Sequence, residues 1–364
     1  MSRAGSRARG LALILNAGSR TIKASLIDGG GRTLAAAEAD RPDGAGEAED
    51  RTALEGLFAE LRGADAGEAA VVGHRVVHGG SAFRSPVVLN EPVLRRIDAL
   101  SALAPLHNPT AVAVIRVAMS LMGSVPHVAC FDTAFHATLP ETAWRYPVPD
   151  RWLDDWGIRR YGFHGLSVEW AIGETADRLD KPLRQLDLVV AHLGGGCSVT
   201  AVHGGRSAWT SMGLTPLEGL MMASRSGSID PGALVLALRH GLDPTTLEAA
   251  LDRASGLLAV GGSGDLRVVE ERARGGDPRA RLAIDMFVDR AAAGIAAAAT
   301  RLHRLDALVF TGGIGEHSGR VRSSIVRRLA AVRGRGGEGP RVLVVEARED
   351  LVIARAAFRL ARAG

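Results

Sequence analysis

One pattern occurs twice in this chain, about half a length apart, and it limits what the chain can fold into. The first copy is LALILNAGSRTIKASLIDGGG (Leu11 to Gly31) and the second is LVVAHLGGGCSVTAVHGGRSAWT (Leu188 to Thr210). Each opens with a short apolar run, as a buried strand does. Each then tightens into a turn of small hydrogen-bonding residues. In the first copy Thr21, Lys23 and Ser25 then alternate with Ile22, Ala24 and Leu26, the period-two signature of a strand with two different faces. Both copies continue into a second glycine turn ending in arginine, at Arg32 and Arg206, and a further strand. A β-hairpin unit repeated in this way predicts two domains with related cores. The length of 364 residues is also more than one core needs. Strands alternate with helical stretches elsewhere, so the class is α/β.

A third glycine turn lies in ALVFTGGIGEHSGRVRSSIVRRLAAV (Ala307 to Val332), where a strand pattern reaches Gly312 and a helical pattern starts at Ser318. Strand, glycine turn and helix start let backbone N–H groups approach a phosphate. The sequence holds neither GxxxxGK[ST] nor GxGxxG at this turn, which excludes a P-loop and a dinucleotide fingerprint. Two hairpin tips and one strand-to-helix turn suit the phosphate chain and adenosine of ATP, clasped by two domains. The stretch from Ala36 to Asp50 is polar and rich in breakers and reads as a surface loop, as does Val332 to Arg341. Ala283 to Leu305 reads as a buried alanine-rich helix.

Composition narrows the function classes. Hydrophobic residues make up 46% and charged residues 23%, as in a soluble globular protein. No apolar run approaches the ~18 residues of a membrane span. The N-terminal MSRAGSRARG leads straight into a strand, without the apolar segment of a secretory signal. Two cysteines, Cys130 and Cys197, fit a reducing cytoplasm. The formal net charge is +4, yet no basic run is interleaved with aromatics, so nucleic acid is not the expected partner. All of the 44 basic residues except Lys23 and Lys181 are arginine. Lys23 keeps a compact point charge on the second strand of the first hairpin, where a phosphate-facing position could use it.

Several short segments combine polar groups with apolar flanks. VVGHRVVHGG carries His74, Arg75 and His78; APLHNPT carries His107; VACFDTAFHATLP carries Asp132 and His136; RRYGFHGLS carries His164. TPLEGLMMASRSGSIDPG carries Glu218, Arg225 and Asp230. Singly, each has an ordinary structural reading. A histidine beside glycine is usually a turn or core hydrogen-bonder, Asp230 before Pro231 a turn former, and Glu218 a surface or helix residue. Together, two arginines, an aspartate and several histidines beside phosphate-type turns meet the needs of phosphoryl transfer. That chemistry is mostly positioning and charge neutralisation.

These segments resemble the acetate kinase family (acetate and propionate kinases), in motif order and over nearly the whole chain. LNAGSRTIK is similar to the family's N-A-G-S-S-S-x-K. HRVVHGG, PLHNP, FDTAFH, YGFHG and TSMGLTPLEGL with SRSGSIDP follow, then SGDLR, FTGGIGEHS and EDLVIA. The resemblance implies two duplicated actin-like (ribonuclease H-like) ATPase domains, of the superfold shared with sugar kinases and chaperones. Residues 1–136 with 349–364 would form the first domain and 137–348 the second. It implies Mg²⁺-dependent phosphoryl transfer from ATP to acetate, giving acetyl phosphate and ADP, with Mn²⁺ as an alternative metal. A propionate kinase and a catalytically degenerate nucleotide-binding paralogue are the alternative readings.

By motif, Arg75 and Arg225 would hold the carboxylate and the phosphoryl group in flight, and His164 would stabilise that group. Asn16, Asp132 and Glu349 would serve the metal. Val77, Leu106, Phe163 and Pro216, with His107 at the edge and Asn16 nearby, would bind the acid. Ser19, Thr21 and Lys23 would contact phosphates from the first hairpin, and His192, Gly194, Gly195 and Gly196 from the second. Asp265, Leu266, Arg267, Gly313 and Ile314 would line the adenosine pocket. The resemblance also implies a cytoplasmic homodimer without membrane or nucleic-acid partners. The sequence departs from the family where an amide near the phosphates becomes Gly195, where a second histidine becomes Val168, and where a serine of the first hairpin becomes Arg20.

Overall fold

The computed structural model describes residues 10–18, 21–42, 44–62, 67–105, 107–329 and 340–362. Ser19, Arg20 and Leu106, and residues 332–339 of the second expected loop, lie outside them. The chain divides into two compact units, Met1–Phe135 with Arg348–Gly364 (unit 1) and His136–Ala347 (unit 2).

Unit 1 is built on a sheet of six strands: β1 (Leu11–Ala17), β2 (Thr21–Asp28), β3 (Thr33–Asp40), β4 (Ala69–Val76), β5 (Val87–Val88) and β6 (His127–Phe131), in the order β3-β2-β1-β4-β6-β5. β1 to β3 form an antiparallel meander, and β4 and β6 join it in parallel. Unit 2 repeats this with β7 (Asp187–Leu193), β8 (Cys197–His203), β9 (Arg206–Thr210), β10 (Ala307–Thr311) and β11 (Arg341–Val344), in the order β11-β10-β7-β8-β9. Again the hairpin and third strand are antiparallel and the two added strands parallel. The duplication read from the sequence is therefore a duplication of sheet topology.

The parallel strands show why both faces of each sheet must be covered. β6 and β10 are buried at every position, the pattern of strands packed on both sides. In unit 1 the helices Glu47–Arg62 and Asn108–Leu121 cover one face, where Leu54, Leu57, Val114 and Val117 meet Leu13, Leu15, Ile22 and Val72. Each such fully buried aliphatic side chain contributes roughly 1.5–3 kcal/mol. The helix Glu349–Ala361 covers β1, β4 and β6. Gly73 on β4 is what lets it in. A Cβ at that position would lie 2.5 Å from Ile353 Cγ2 and 2.9 Å from Ile14 Cδ1. In unit 2 the helix Pro278–Ala299 buries Ala283, Ile284, Phe287, Ala291 and Ile295 against its neighbours, and Gly165–Leu179 packs on β7 and β10.

Three expectations change. The stretch from Ala36 to Asp50 is not one loop: β3 runs to Asp40 and a helix starts at Glu47. Its alanines have little strand propensity, and pairing with β2 overrides that preference. The alanine-rich helix starts at Pro278, where Asp277 caps it by accepting from the Arg279 and Ala280 N–H groups, and it ends at Ala299. The third glycine turn is already helical, over Gly312–His317, before the helix Gly319–Leu329.

Candidate active site

In unit 1 the polar candidates gather at the carboxyl ends of parallel strands, where open α/β sheets bind ligands. β4 ends beside Arg75, β1 beside Asn16, and Asp132 follows β6, its N–H donating to Val76 O at 3.0 Å. The Arg75 fork meets Asp132 bidentately, Nε to Oδ1 at 2.9 Å and Nη2 to Oδ2 at 2.6 Å. Its third nitrogen, Nη1, donates to Asn16 Oδ1 at 3.3 Å. Glu349, first residue of the C-terminal helix, brings Oε2 within 3.4 Å of Arg75 Nε. Burial works against the Arg75 charge, but Asp132 and Glu349 more than offset it and raise its pKa above the ordinary value. Burial raises the Glu349 pKa above the ordinary carboxylate range, opposed by Arg75 and reinforced by the Asp132 charge. One guanidinium thus faces two carboxylates, and the surplus negative charge sits on oxygen donors.

The loop after β4 is tied down by its own polar groups. The Asn108 amide accepts from His78 N–H at 3.1 Å and donates to His78 O at 2.9 Å, and Gly79 N–H donates to Thr133 Oγ1 at 3.0 Å. Val77 is half-buried and His107 immediately precedes the helix Asn108–Leu121. Lys23, cross-strand from Asn16, is exposed and pairs with Glu38 at 3.4 Å. The first hairpin tip closes with Gly18 N–H donating to Thr21 O at 2.8 Å.

In unit 2 the second hairpin tip is the centre. His164 has a left-handed backbone (φ 59°) at the start of the helix Gly165–Leu179. A non-glycine residue there costs about 1–3 kcal/mol, a strain that marks functional positions. Its Nδ1 bonds Ser198 Oγ at 3.0 Å, and its ring stacks on His192 with centroids 4.2 Å apart. His192 Nδ1 in turn bonds Ser167 Oγ at 2.8 Å. Arg225 Nε donates to Asp252 Oδ1 at 2.6 Å. Gly196 lies between these groups. A Cβ there would be 3.1 Å from His164 Nε2 and 3.6 Å from Arg225 Nη1. Gly194 lies equally near the other turn, its Cβ position 3.6 Å from Gly313 N, while that of Gly312 is 3.0 Å from His192 Nε2. Within this unit the structure therefore brings together His164, His192, Gly194, Gly196, Arg225 and Gly313.

Other candidates are placed less directly. Gly195 has open space around its Cβ position. Asp265 caps the helix Leu266–Arg274 and pairs with the exposed Arg267 at 2.7 Å, while Leu266 is buried. Ile314 belongs to the short helix Gly312–His317. Phe163 is buried, and Pro216 is half-buried in a loop without helix or strand. Buried Cys197 donates to Gly194 O at 3.4 Å, and burial pushes its pKa up to about 12, so it stays a thiol.

The sequence reading missed four groups that orient these residues. Ser167 and Ser198 fix the histidine rings, Asp252 holds Arg225, and Glu316 accepts from Gly312 N–H at 2.9 Å. Ser198 and Ser167 stood inside quoted motifs. Asp252 lies outside every quoted motif, and only the fold brings it to Arg225. His136, a candidate beside Asp132, is a core residue. Its Nε2–H donates to Phe163 O at 2.9 Å and its Nδ1 bonds Ser207 Oγ at 2.9 Å.

Two sheets of the same order, each with a polar hairpin tip, belong to the actin-like ATPase fold. Solved relatives share it. The chain superposes on a propionate kinase from Francisella tularensis with a TM-score of 0.88 at 34% identity, covering 96% of this chain and 100% of the other. It superposes on acetate kinase from Porphyromonas gingivalis with a TM-score of 0.86 at 29% identity, covering 97% and 100%. In sequence it is 45% identical over 386 residues to an acetate kinase from Deinococcus deserti, covering 95% of this chain and 96% of the relative. Residues 33–339 match the model of the acetokinase family. The chain belongs to the acetokinase family.

Proposed function

We propose that the protein is an acetate kinase, transferring the γ-phosphoryl group of ATP reversibly to acetate. The observation that carries this reading is the Arg75 fork, held by Asp132 and flanked by Asn16 and Glu349, in a chain of this family. In the forward direction a carboxylate oxygen of acetate forms a bond to phosphorus, the bond from phosphorus to the β,γ-bridging oxygen breaks, and ADP leaves with that electron pair. The nucleophile is already ionised at neutral pH, so no general base is required. Positive charge and N–H donors are required, and Arg75, Arg225 and His164 supply them. Removal of one such preorganised donor typically costs ~10²–10³ in kcat.

The donor set fits a magnesium ion. Among the described residues no group of three His, Cys, Asp or Glu side chains is placed to hold a metal. Mg²⁺ needs only one or two carboxylates, completed by water and phosphate oxygens. Asn16, Asp132 and Glu349 would hold it, and a divalent cation would offset the burial and the Asp132 charge that together raise the Glu349 pKa. When bound, the ion neutralises phosphate charge. Unit 1 would contribute the acid-binding groups and first phosphate hairpin, with Val77, Leu106 and His107 at the acid and Ser19, Thr21 and Lys23 at phosphates. Unit 2 would contribute Phe163 and Pro216 to the acid, His192 and Gly194–Gly196 to phosphates, and Asp265, Leu266, Arg267, Gly313 and Ile314 to adenosine.

No helix among the described residues is long and apolar enough to cross a membrane. A cytoplasmic homodimer is part of the proposal, and the helix Pro231–Arg239, with Val235, Leu236 and Leu238 exposed, is an apolar surface suited to a second copy. The deciding experiment incubates the protein with ATP, Mg²⁺ and acetate, propionate or butyrate, and traps acyl phosphate with hydroxylamine. Hydroxamate forming fastest with acetate supports the proposal. Faster formation with propionate changes the substrate but not the mechanism, and none from any acid refutes the kinase reading.

A further inference from the structure

Unit 2 holds a polar cluster that the reaction chemistry does not use. Glu218 Oε1 accepts from Arg160 Nη2 at 2.5 Å, and its Oε2 accepts from the Tyr146 hydroxyl. That hydroxyl also accepts the Leu214 N–H at 3.0 Å. The other arm of Arg160 donates to three successive carbonyls, Thr210, Ser211 and Met212, at 3.1, 3.0 and 2.9 Å. Next along the chain, Gly213 O accepts from Tyr161 N at 3.0 Å and from Gly162 N at 3.2 Å. Gly213 has no room for a side chain: a Cβ would lie 1.8 Å from Glu218 Oε2 and 2.1 Å from the Tyr146 oxygen.

The cluster joins two segments. One is residues 160–164, which carry buried Phe163 and strained His164. The other is residues 212–219, which carry Pro216. The second segment has no helix or strand to hold it. Besides the cluster, its far end is pinned where Ser228 N donates to Gly219 O at 2.9 Å and Gly219 N to Ser228 Oγ at 3.0 Å. Arg160 is only 12% exposed, so its links operate away from solvent screening.

We propose that Tyr146, Arg160 and Glu218 form a positioning clamp that sets the Pro216 loop against the Phe163 segment and thereby the chain length of the acid accepted. This rests on the kinase reading above. The clamp touches no reacting atom. It acts by fixing the separation of two apolar walls, and a pocket wall moved by a fraction of a methylene changes discrimination between adjacent homologues.

The test compares wild type, Tyr146→Phe, Glu218→Gln and Glu218→Ala with acetate, propionate and butyrate. One lost partly buried hydrogen bond predicts a rise of about tenfold in KM for the preferred acid. KM for ATP should stay within about twofold, because the nucleotide contacts are made elsewhere. The preference between acetate and propionate should move by about threefold or more. Glu218→Gln should be milder than Glu218→Ala, because its amide oxygen still accepts from Tyr146. Should Tyr146→Phe fail to fold, the two Glu218 variants carry the comparison. Equal losses for all three acids and ATP, or a lower Tm with unchanged acid preference, would overturn the clamp and leave a structural cluster. Wild type that makes no acyl phosphate removes the kinase reading itself, an outcome distinct from a clamp that fails in an active enzyme.

Discussion

Each unit contains a stacked pair of histidines, and the two pairs are built differently. In unit 1, His74 and His127 stack with centroids 5.2 Å apart and 15° between planes, both buried. His127 Nε2 meets Met122 O at 3.1 Å, so that nitrogen carries the proton and Nδ1 accepts from His74 Nε2–H at 2.9 Å. Three of the pair's four ring nitrogens are thus bonded within the pair or to the backbone. In unit 2, His164 and His192 are half-buried and tilted by 29°. Each is oriented through Nδ1 by a serine, so that Nε2 is directed toward a glycine turn. Under the proposed function, a serine on Nδ1 with Nε2 directed at a glycine turn is what would set a working histidine apart from a packed one. Residue type and stacking would not.

The sharpest test of that distinction is His164→Ala. It should lower kcat by ~10²–10³, as for loss of a preorganised donor, with little change in Tm. Hydroxamate kinetics and a thermal melt decide it, and near-normal turnover would place His164 with the packed class. The carboxylates beside Arg75 give the next contrast. Glu349 has a raised folded-state pKa, so its ionisation destabilises the folded chain as the pH rises through that value. Glu349→Gln should therefore raise Tm in metal-free neutral or alkaline buffer, lose that advantage in acid, and depress turnover. A Tm that falls at neutral pH would show Glu349 to be a net stabilising partner of Arg75.

Ser198→Ala leaves the His164 ring without its orienting hydroxyl and should cost about tenfold in kcat, the worth of one hydrogen bond. An unchanged kcat would mean that backbone strain at His164 suffices to aim it. Gly195→Asn would restore the family's amide in open space. It should lower KM for ATP by about threefold if the amide reaches a phosphate, since such hydrogen bonds contribute ~0.5–1.5 kcal/mol. A raised KM would show that the smaller tip is adapted to this chain.

What the sequence disclosed follows the same line. The hairpins were legible because alternation and glycine turns are local signals. Even so, the two tips differ: the last strand pair is Ala17 with Ile22 in one and Leu193 with Cys197 in the other. Arg75, Asp132, His164 and Arg225 could be proposed from the sequence because they stand in dense motifs. Asp252 and the Glu218 clamp could not, because their partners lie 27 and 72 residues away and only folding brings them together. The stretch around β3 was misread because pairing with β2, not composition, makes TLAAAEAD a strand.

The smallest effect tests the packed pair. Burial, followed by the His127 charge, holds the His74 pKa well below the ordinary 6.5, and burial also lowers that of His127. An unfolded chain takes up these protons more readily, so the stability they protect is present above about 6.5 and falls as the pH drops toward the folded-state values. Replacing both rings, His74→Phe with His127→Leu, removes both polar groups together, which is near neutral when shape is kept. The double variant should match wild type in kcat at neutral pH and in urea midpoint there. Below pH ~6 its midpoint should fall less steeply than wild type, because the two buried rings no longer bind protons on unfolding. A parallel fall would locate acid sensitivity in the carboxylates instead, and a lost kcat would mean that the packed pair holds Arg75 and Asp132 in place through β4 and β6.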